Sequence, residues 1–128
     1  MMLFDASSIY AAIGKGKTSS LKGFYSVILA RYELGNIIWK ETILRKTYSV
    51  GEGISVVNFF DKVLSEMKLL HPDLDAVFKT AVQFHLSYYD ASYVYAAINA
   101  KIPLVTEDEK IKDKAGKLLK IYSFDDIA

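Results

Sequence analysis

The sequence predicts an α/β protein, a three-layer α/β/α sandwich on a mostly parallel central sheet. Two observations carry this. Short apolar runs rich in β-branched and aromatic residues are separated by longer segments of helical periodicity, in the order β-α-β-α-α-α-α-β-α-β. Acidic and hydroxyl residues stand where the apolar runs give way to helices, the positions that cap helix starts.

Residues 1–4 read as a first strand, stopped by Asp5-Ala6-Ser7-Ser8, which opens a helix running to Gly14. Residues 15–20 read as a flexible basic loop. Residues 24–29 form a second buried strand that leads into a helix over about 30–45. Three-and-four spacing puts Glu33, Asn36, Ile37 and Lys40 on one face of that helix. Gly35 lies inside it at a cost of about 1 kcal/mol relative to alanine, which assigns it to close contact with the sheet or another helix. Residues 48–53, with two glycines, read as a break before a helix over 54–70. His71-Pro72-Asp73 ends that helix and caps the next, 74–86, with His85 as a C-terminal cation or packed ring. Asp90 is expected at the N-cap of a helix that Lys101-Ile102-Pro103 stops. Leu104-Val105-Thr106 is a short buried strand leading into Glu107-Asp108; a basic helix follows over 110–117, a last strand over 118–124, and a cap or tail over 125–128.

The 128 residues are expected to form a single domain, 1–128, burying roughly two-thirds of the unfolded surface. Sixteen basic and fifteen acidic residues give a formal charge of +1, so no overall field draws the chain to nucleic acid or an anionic membrane. There is no cysteine, which excludes disulfides, thiolate metal sites and a cysteine nucleophile. Uncharged stretches such as 53–60 and 80–89 fall short of the roughly 18 residues of a membrane span, and the start lacks a basic signal region. A cytoplasmic setting is the expectation. A hydrophobic content of 52% leaves apolar surface for contact with another chain.

Asp5, Glu33, Asp90 and Asp108 stand at or just beyond strand ends or helix starts, which in a parallel sheet share one edge. Helix capping would by itself account for Asp90 and Asp108. Gathered together, the four carboxylates repel: two unit charges about 4 Å apart do so by about 4 kcal/mol at an effective dielectric of 20. A hard divalent cation removes that conflict, and carboxylates without thiols or paired imidazoles suit Mg²⁺ or Mn²⁺.

Four stretches, in this order, give the chain a likeness: Leu3-Phe4-Asp5-Ala6-Ser7-Ser8; Tyr32-Glu33-Leu34-Gly35-Asn36 with Trp39-Lys40; Tyr89-Asp90-Ala91-Ser92-Tyr93-Val94 with Ala96-Ala97; and Leu104-Val105-Thr106-Glu107-Asp108-Glu109-Lys110-Ile111. Together they resemble the PIN-domain family, in particular the VapC-type toxins of toxin–antitoxin pairs, over essentially the whole chain. The resemblance implies a PIN-like fold. It makes Asp5, Glu33, Asp90 and Asp108 an acidic quartet for Mg²⁺ or Mn²⁺, with Ser7, Asn36 and Thr106 orienting ligands or water. Ala6 departs from the pattern, where Thr or Ser often stands, which leaves Ser7 as the hydroxyl. Glu107, one place along the strand from Asp108, is expected to point away.

The activity implied is endonucleolytic hydrolysis of RNA by a metal-activated water, leaving a 5′-phosphate, in the toxin component of a VapBC-type system. Lys15, Lys17, Lys40, Lys110 and Lys112 are the expected contacts to RNA backbone phosphates, although Lys110, Lys112 and Lys114 would equally solvate a short helix. Of Tyr10, Tyr89 and Tyr93, at least two are expected to pack in the core rather than stack on a base. The partners implied are a second copy and an antitoxin helix in an apolar groove, with Trp39, Phe59, Phe60 and Tyr48 as groove residues. The alternative is a catalytically inert PIN-like scaffold that binds RNA or protein. A receiver domain does not fit the four helical segments between the second and third strands, and a flap-cutting deoxyribonuclease needs more chain.

Overall fold

Five parallel strands form the centre of the computed structural model, which describes residues 1–128. In chain order the elements are β1 (Leu3–Phe4), α1 (Ala6–Gly14), β2 (Tyr25–Val27), α2 (Ala30–Ile43), α3 (Val50–Ser65), β3 (Lys68–Leu70), α4 (Leu74–Phe84), α5 (Tyr88–Ala100), β4 (Leu104–Val105), α6 (Glu109–Ala115), β5 (Ile121–Tyr122) and α7 (Phe124–Ile127). The sheet order is β3-β2-β1-β4-β5, and every pair is parallel. Leu3 pairs with Tyr25 on one side and Leu104 on the other. Leu3, Phe4, Leu104 and Val105 are all buried, as strands covered on both faces require. The α/β/α sandwich predicted from sequence is present: α5 packs across β1, β2 and β4 with α4 along it, while α1 packs against α2 and α7. No helix is long and apolar enough to cross a membrane.

The topology decides where a ligand can sit. From β1 the chain moves outward through β2 and β3, then returns to place β4 on the opposite flank of β1. The connections therefore diverge between β1 and β4, and a crevice forms there outside the carboxyl ends of the strands. Two bonds tie the ends together: the Asp5 N–H and the Ser8 hydroxyl both donate to the Val105 carbonyl, at 3.1 and 2.8 Å.

Several elements differ from the sequence reading, each for a local reason. The helix over 54–70 is in fact α3 followed by β3. Residues 68–70 continue a plausible helical stripe, and only the distant pairing of Ser26 with Leu69 and Val27 with Leu70 makes them a strand. The strand count between α2 and α5 is corrected accordingly. α3 starts at Val50 because Ser49 and Glu52 form a reciprocal capping box, which outweighs the break signal of Gly51 and Gly53. The expected role of Gly35 belongs to Gly53 instead. A Cβ at Gly53 would stand 2.9 Å from Thr42 Oγ1 on α2, whereas one at Gly35 would meet nothing within 4 Å. The loop over 15–20 tightens into a 3-10 turn, Thr18–Leu21, that buries Leu21. His85 caps α4 with a left-handed backbone, φ 55°. The last strand is short, and Phe124–Ile127 is a helical turn capped by Ser123.

Candidate active site at the strand switch point

Asp5, directly after β1, is 5% exposed and fully engaged. Its Oδ1 accepts the Ser8 N–H at 2.9 Å and the Ser7 hydroxyl at 2.7 Å, while its Oδ2 accepts the Thr106 hydroxyl. The two hydroxyls in turn accept backbone N–H groups from the segment after β4: Ser7 across the crevice from Glu107 at 3.0 Å, and Thr106 locally from Asp108 at 3.1 Å. The Asp5 carboxylate thus holds one orientation, fixed by both strand ends. Burial pushes its pKa up, against the opposing pull of these hydrogen bonds.

Glu33 lies in the first turn of α2 and accepts the Tyr93 phenol at 2.6 Å. Burial raises its pKa; the Tyr93 bond pulls the other way, and the charges of Asp90 and Asp5 push it higher. Tyr93 itself is 1% exposed, and burial together with Glu33 holds its phenol far above the usual range, so it remains a donor. Its role is therefore to position Glu33 rather than to stack on a base. Its place three residues after Asp90, on the same face of α5, was the signal available in the sequence.

Asp90 is not the N-cap of α5. Ser87 is, accepting the Asp90 N–H at 3.0 Å, so the helix starts one turn earlier than the sequence reading placed it. Burial raises the pKa of Asp90, the charge of Asp108 adds to this, and Ser87, Lys110 and Lys114 act in the opposite direction. Asp108 does cap α6, accepting the Lys110 N–H at 2.8 Å.

All four carboxylates, with Ser7, Asn36, Lys40 and Tyr93, line one cavity of about 210 Å³. Glu107 turns away and accepts the Phe124 N–H at 2.9 Å, as strand alternation requires. Of the lysines, Lys40 lines the cavity and Lys110 acts on Asp90. Lys15 is paired with Asp125 over the Phe124 ring, and Lys112 with Glu109 at 3.4 Å. Lys17 precedes the 3-10 turn, exposed.

The donor set is oxygen only, the chemistry that hard cations take. No three of the acidic or imidazole side chains stand close enough together to ligate one ion as a group.

Of the expected groove residues, Phe60 is buried at 3% exposure and stacks on Tyr10, and Tyr48 shares a hydrogen bond with Tyr10 at 3.0 Å. Trp39, one of the expected residues, does line the groove between α2 and α3, with Ile43, Val50, Ile54 and Val57, all exposed; Phe59 is exposed but outside that lining. The helical stripe assigned to α3 from sequence placed Phe60 correctly in the core, and the expectation that it faces a partner is corrected.

No family model matches the chain. Over 115 residues, 88% of this chain and 84% of the relative, it is 36% identical to a curated protein named Exonuclease VapC9 from Pyrobaculum aerophilum. The chain belongs to the VapC-type PIN family. The VapC fold is matched by the crystal structure of the Pyrobaculum aerophilum protein PAE2754 with a TM-score of 0.83 at 30% identity, covering 98% of this chain and 90% of that one.

Proposed function

We propose that this chain is a Mg²⁺- or Mn²⁺-dependent ribonuclease, the toxin of a VapBC-type pair, that cuts RNA endonucleolytically and is neutralised by an antitoxin. The observation that carries the proposal is the convergence of Asp5, Glu33, Asp90 and Asp108, from four separate elements, on one cavity at the switch point of the sheet. The relative named Exonuclease VapC9 supports the nuclease and toxin parts of this reading; the metal, the RNA substrate and the endonucleolytic cut rest on the site. An inert scaffold would have no need to bury charges that raise one another's pKa.

Asp5, Glu33, Asp90 and Asp108 are the residues that would hold the ion, directly or through its waters, and when bound it would supply Lewis acidity to water and to the phosphate. The chain's own groups set up that chemistry. Ser7 and Thr106 keep Asp5 in one rotamer, so no reorganisation is needed as charge develops. The Tyr93 phenol does the same for Glu33. Asn36 and Lys40, on the Glu33 face of α2, stand at the cavity wall to meet a phosphate oxygen. The histidines lie outside this cavity, so hydrolysis by water, leaving a 5′-phosphate and a 3′-hydroxyl, is preferred to attack by the 2′-hydroxyl. The α2–α3 groove is the surface proposed for an antitoxin helix, and a homodimer in the cytoplasm is the proposed state.

The test incubates the purified chain with linear and circular single-stranded RNA, in Mn²⁺ and in chelator, and maps the new ends. Linearised circles bearing 5′-phosphates, formed only with metal, are the expected product. Cutting that persists in chelator removes the metal from the proposal, and circles left intact while linear RNA shortens make the activity exonucleolytic.

A further inference from the structure

A second cavity, of about 450 Å³, opens on the same sheet edge where the ends of β2 and β3 meet the starts of α2, α4 and α5. Its walls include Tyr32, Tyr88, Tyr89, His71, Leu74 and Val77, and its size lies within the range of small-ligand sites. Tyr32 immediately precedes Glu33, and Tyr89 immediately precedes Asp90. Successive helical residues point about 100° apart, so the same two helix turns present acids to one cavity and aromatic rings to the other.

Both of these rings are free. Tyr32 is 77% exposed and Tyr89 59%, and the ring pairs of the chain are Phe4 with Phe24 and Tyr10 with Phe60. Tyr88 is held as a fixed wall, its phenol donating to the Leu74 carbonyl at 3.3 Å. The Ser92 hydroxyl in the lining is spent on the Tyr89 carbonyl at 2.6 Å. The cavity therefore offers flat apolar faces and few polar groups, which suits a ring that stacks and not a charged ligand.

Resting on the ribonuclease reading, we propose that this cavity takes one nucleobase of the RNA, swung out of its stack beside the phosphate bound at the acids, with Tyr32 and Tyr89 as the stacking platform. Such binding tolerates any base, because every base has a π face. It also confines the substrate to single strands, whose bases can leave the stack.

The experiment scans one abasic nucleotide along a single-stranded RNA and measures kcat/KM for the wild type, Tyr32→Ala and Tyr89→Ala. Both side chains are exposed, so the variants fold. One abasic position is expected to lower wild-type cleavage by about 10- to 100-fold. At that position the variants lose the penalty. A wild type that cuts every abasic RNA equally, or variants that keep the full penalty, overturns the proposal. A binding arm separates this from failure of the nuclease reading: 2-aminopurine moved along the RNA is quenched at one position by wild type and by Asp5→Asn, and not by Tyr89→Ala. Quenching without any cutting leaves the base site standing and removes the nuclease. Quenching at no position removes the base site, as does a halved mass of Tyr89→Ala by light scattering, which would make the cavity a seam between two copies.

Discussion

The carboxyl edge of the sheet and the α2–α3 groove invert the ordinary partition of side chains in opposite senses. At the edge, charge is buried: Asp5 is 5% exposed, and burial raises the pKa of Asp5, Glu33 and Asp90. In the groove, apolar surface is exposed, with Val50 at 66% and Trp39 at 52%. A protein optimised for its own stability would do neither, since a buried charge wants a counter-charge and a contiguous apolar patch wants cover. On the function proposed above, the two regions teach the same lesson from opposite sides: a cation would complete one and an apolar partner surface the other. They also share α2, whose Glu33 faces the acids while Trp39 faces the groove.

The comparison breaks most visibly at Asp5. Asp5→Asn keeps the shape and neutralises the charge, and RNA cleavage in Mn²⁺ is expected to fall by about a thousandfold, the several kcal/mol a bound ion contributes to charge stabilisation. Time courses with gel-resolved products measure it, and unchanged cleavage would take Asp5 out of the site. Thr106→Val should act through Asp5, lowering apparent metal affinity about 10- to 100-fold, as loss of a partner that orients a ligand does. Thr106→Ser, which restores the hydroxyl, should recover it; the concentration of Mn²⁺ giving half-maximal cleavage is the readout.

On the groove side, Trp39→Ser should leave stability within about 0.5 kcal/mol, because the side chain is half exposed. It should weaken a bound antitoxin by about 30-fold, the cost of truncating a buried aromatic anchor. Calorimetry of the pair and an unchanged cleavage rate together check the separation of the two regions.

The smallest effect concerns pH. Burial and the neighbouring acids raise the Glu33 pKa in the folded chain above its ordinary 4.5, so the native state holds that proton more tightly than the unfolded chain. Metal-free stability therefore falls as pH rises from about 4.5 through the folded value. Glu33→Gln, which keeps an oxygen for the Tyr93 phenol, should remove this fall. The gap between variant and wild-type melting midpoints should widen with pH; a constant gap would mean that Glu33 is not crowded.

Much of this was legible in the sequence because it is local. Three-and-four spacing correctly put Glu33, Asn36 and Lys40 on one face, and the strand ends correctly put Asp5 and Asp108 on one edge. Tyr10 and Tyr93 are packed, as expected of two of the three tyrosines, and Tyr89 is left exposed. What was not legible is non-local or a contest between two local signals. β3 exists only because β2 lies beside it. Ser87 and Asp90 are both good caps, and the earlier one won, which frees Asp90 from the capping position. Tyr32 looks like any aromatic in a helix until the cavity beside it is seen.

The most direct measurement follows the melting midpoint of the wild type and of Asp5→Asn while Mn²⁺ is raised, with RNA absent. An ion held by the native acids stabilises the fold by about 2.7 kcal/mol at a hundred times its Kd. The wild-type midpoint should climb steadily with Mn²⁺ and that of Asp5→Asn should stay flat. A wild-type midpoint indifferent to Mn²⁺, or the same climb in both proteins, would contradict the account.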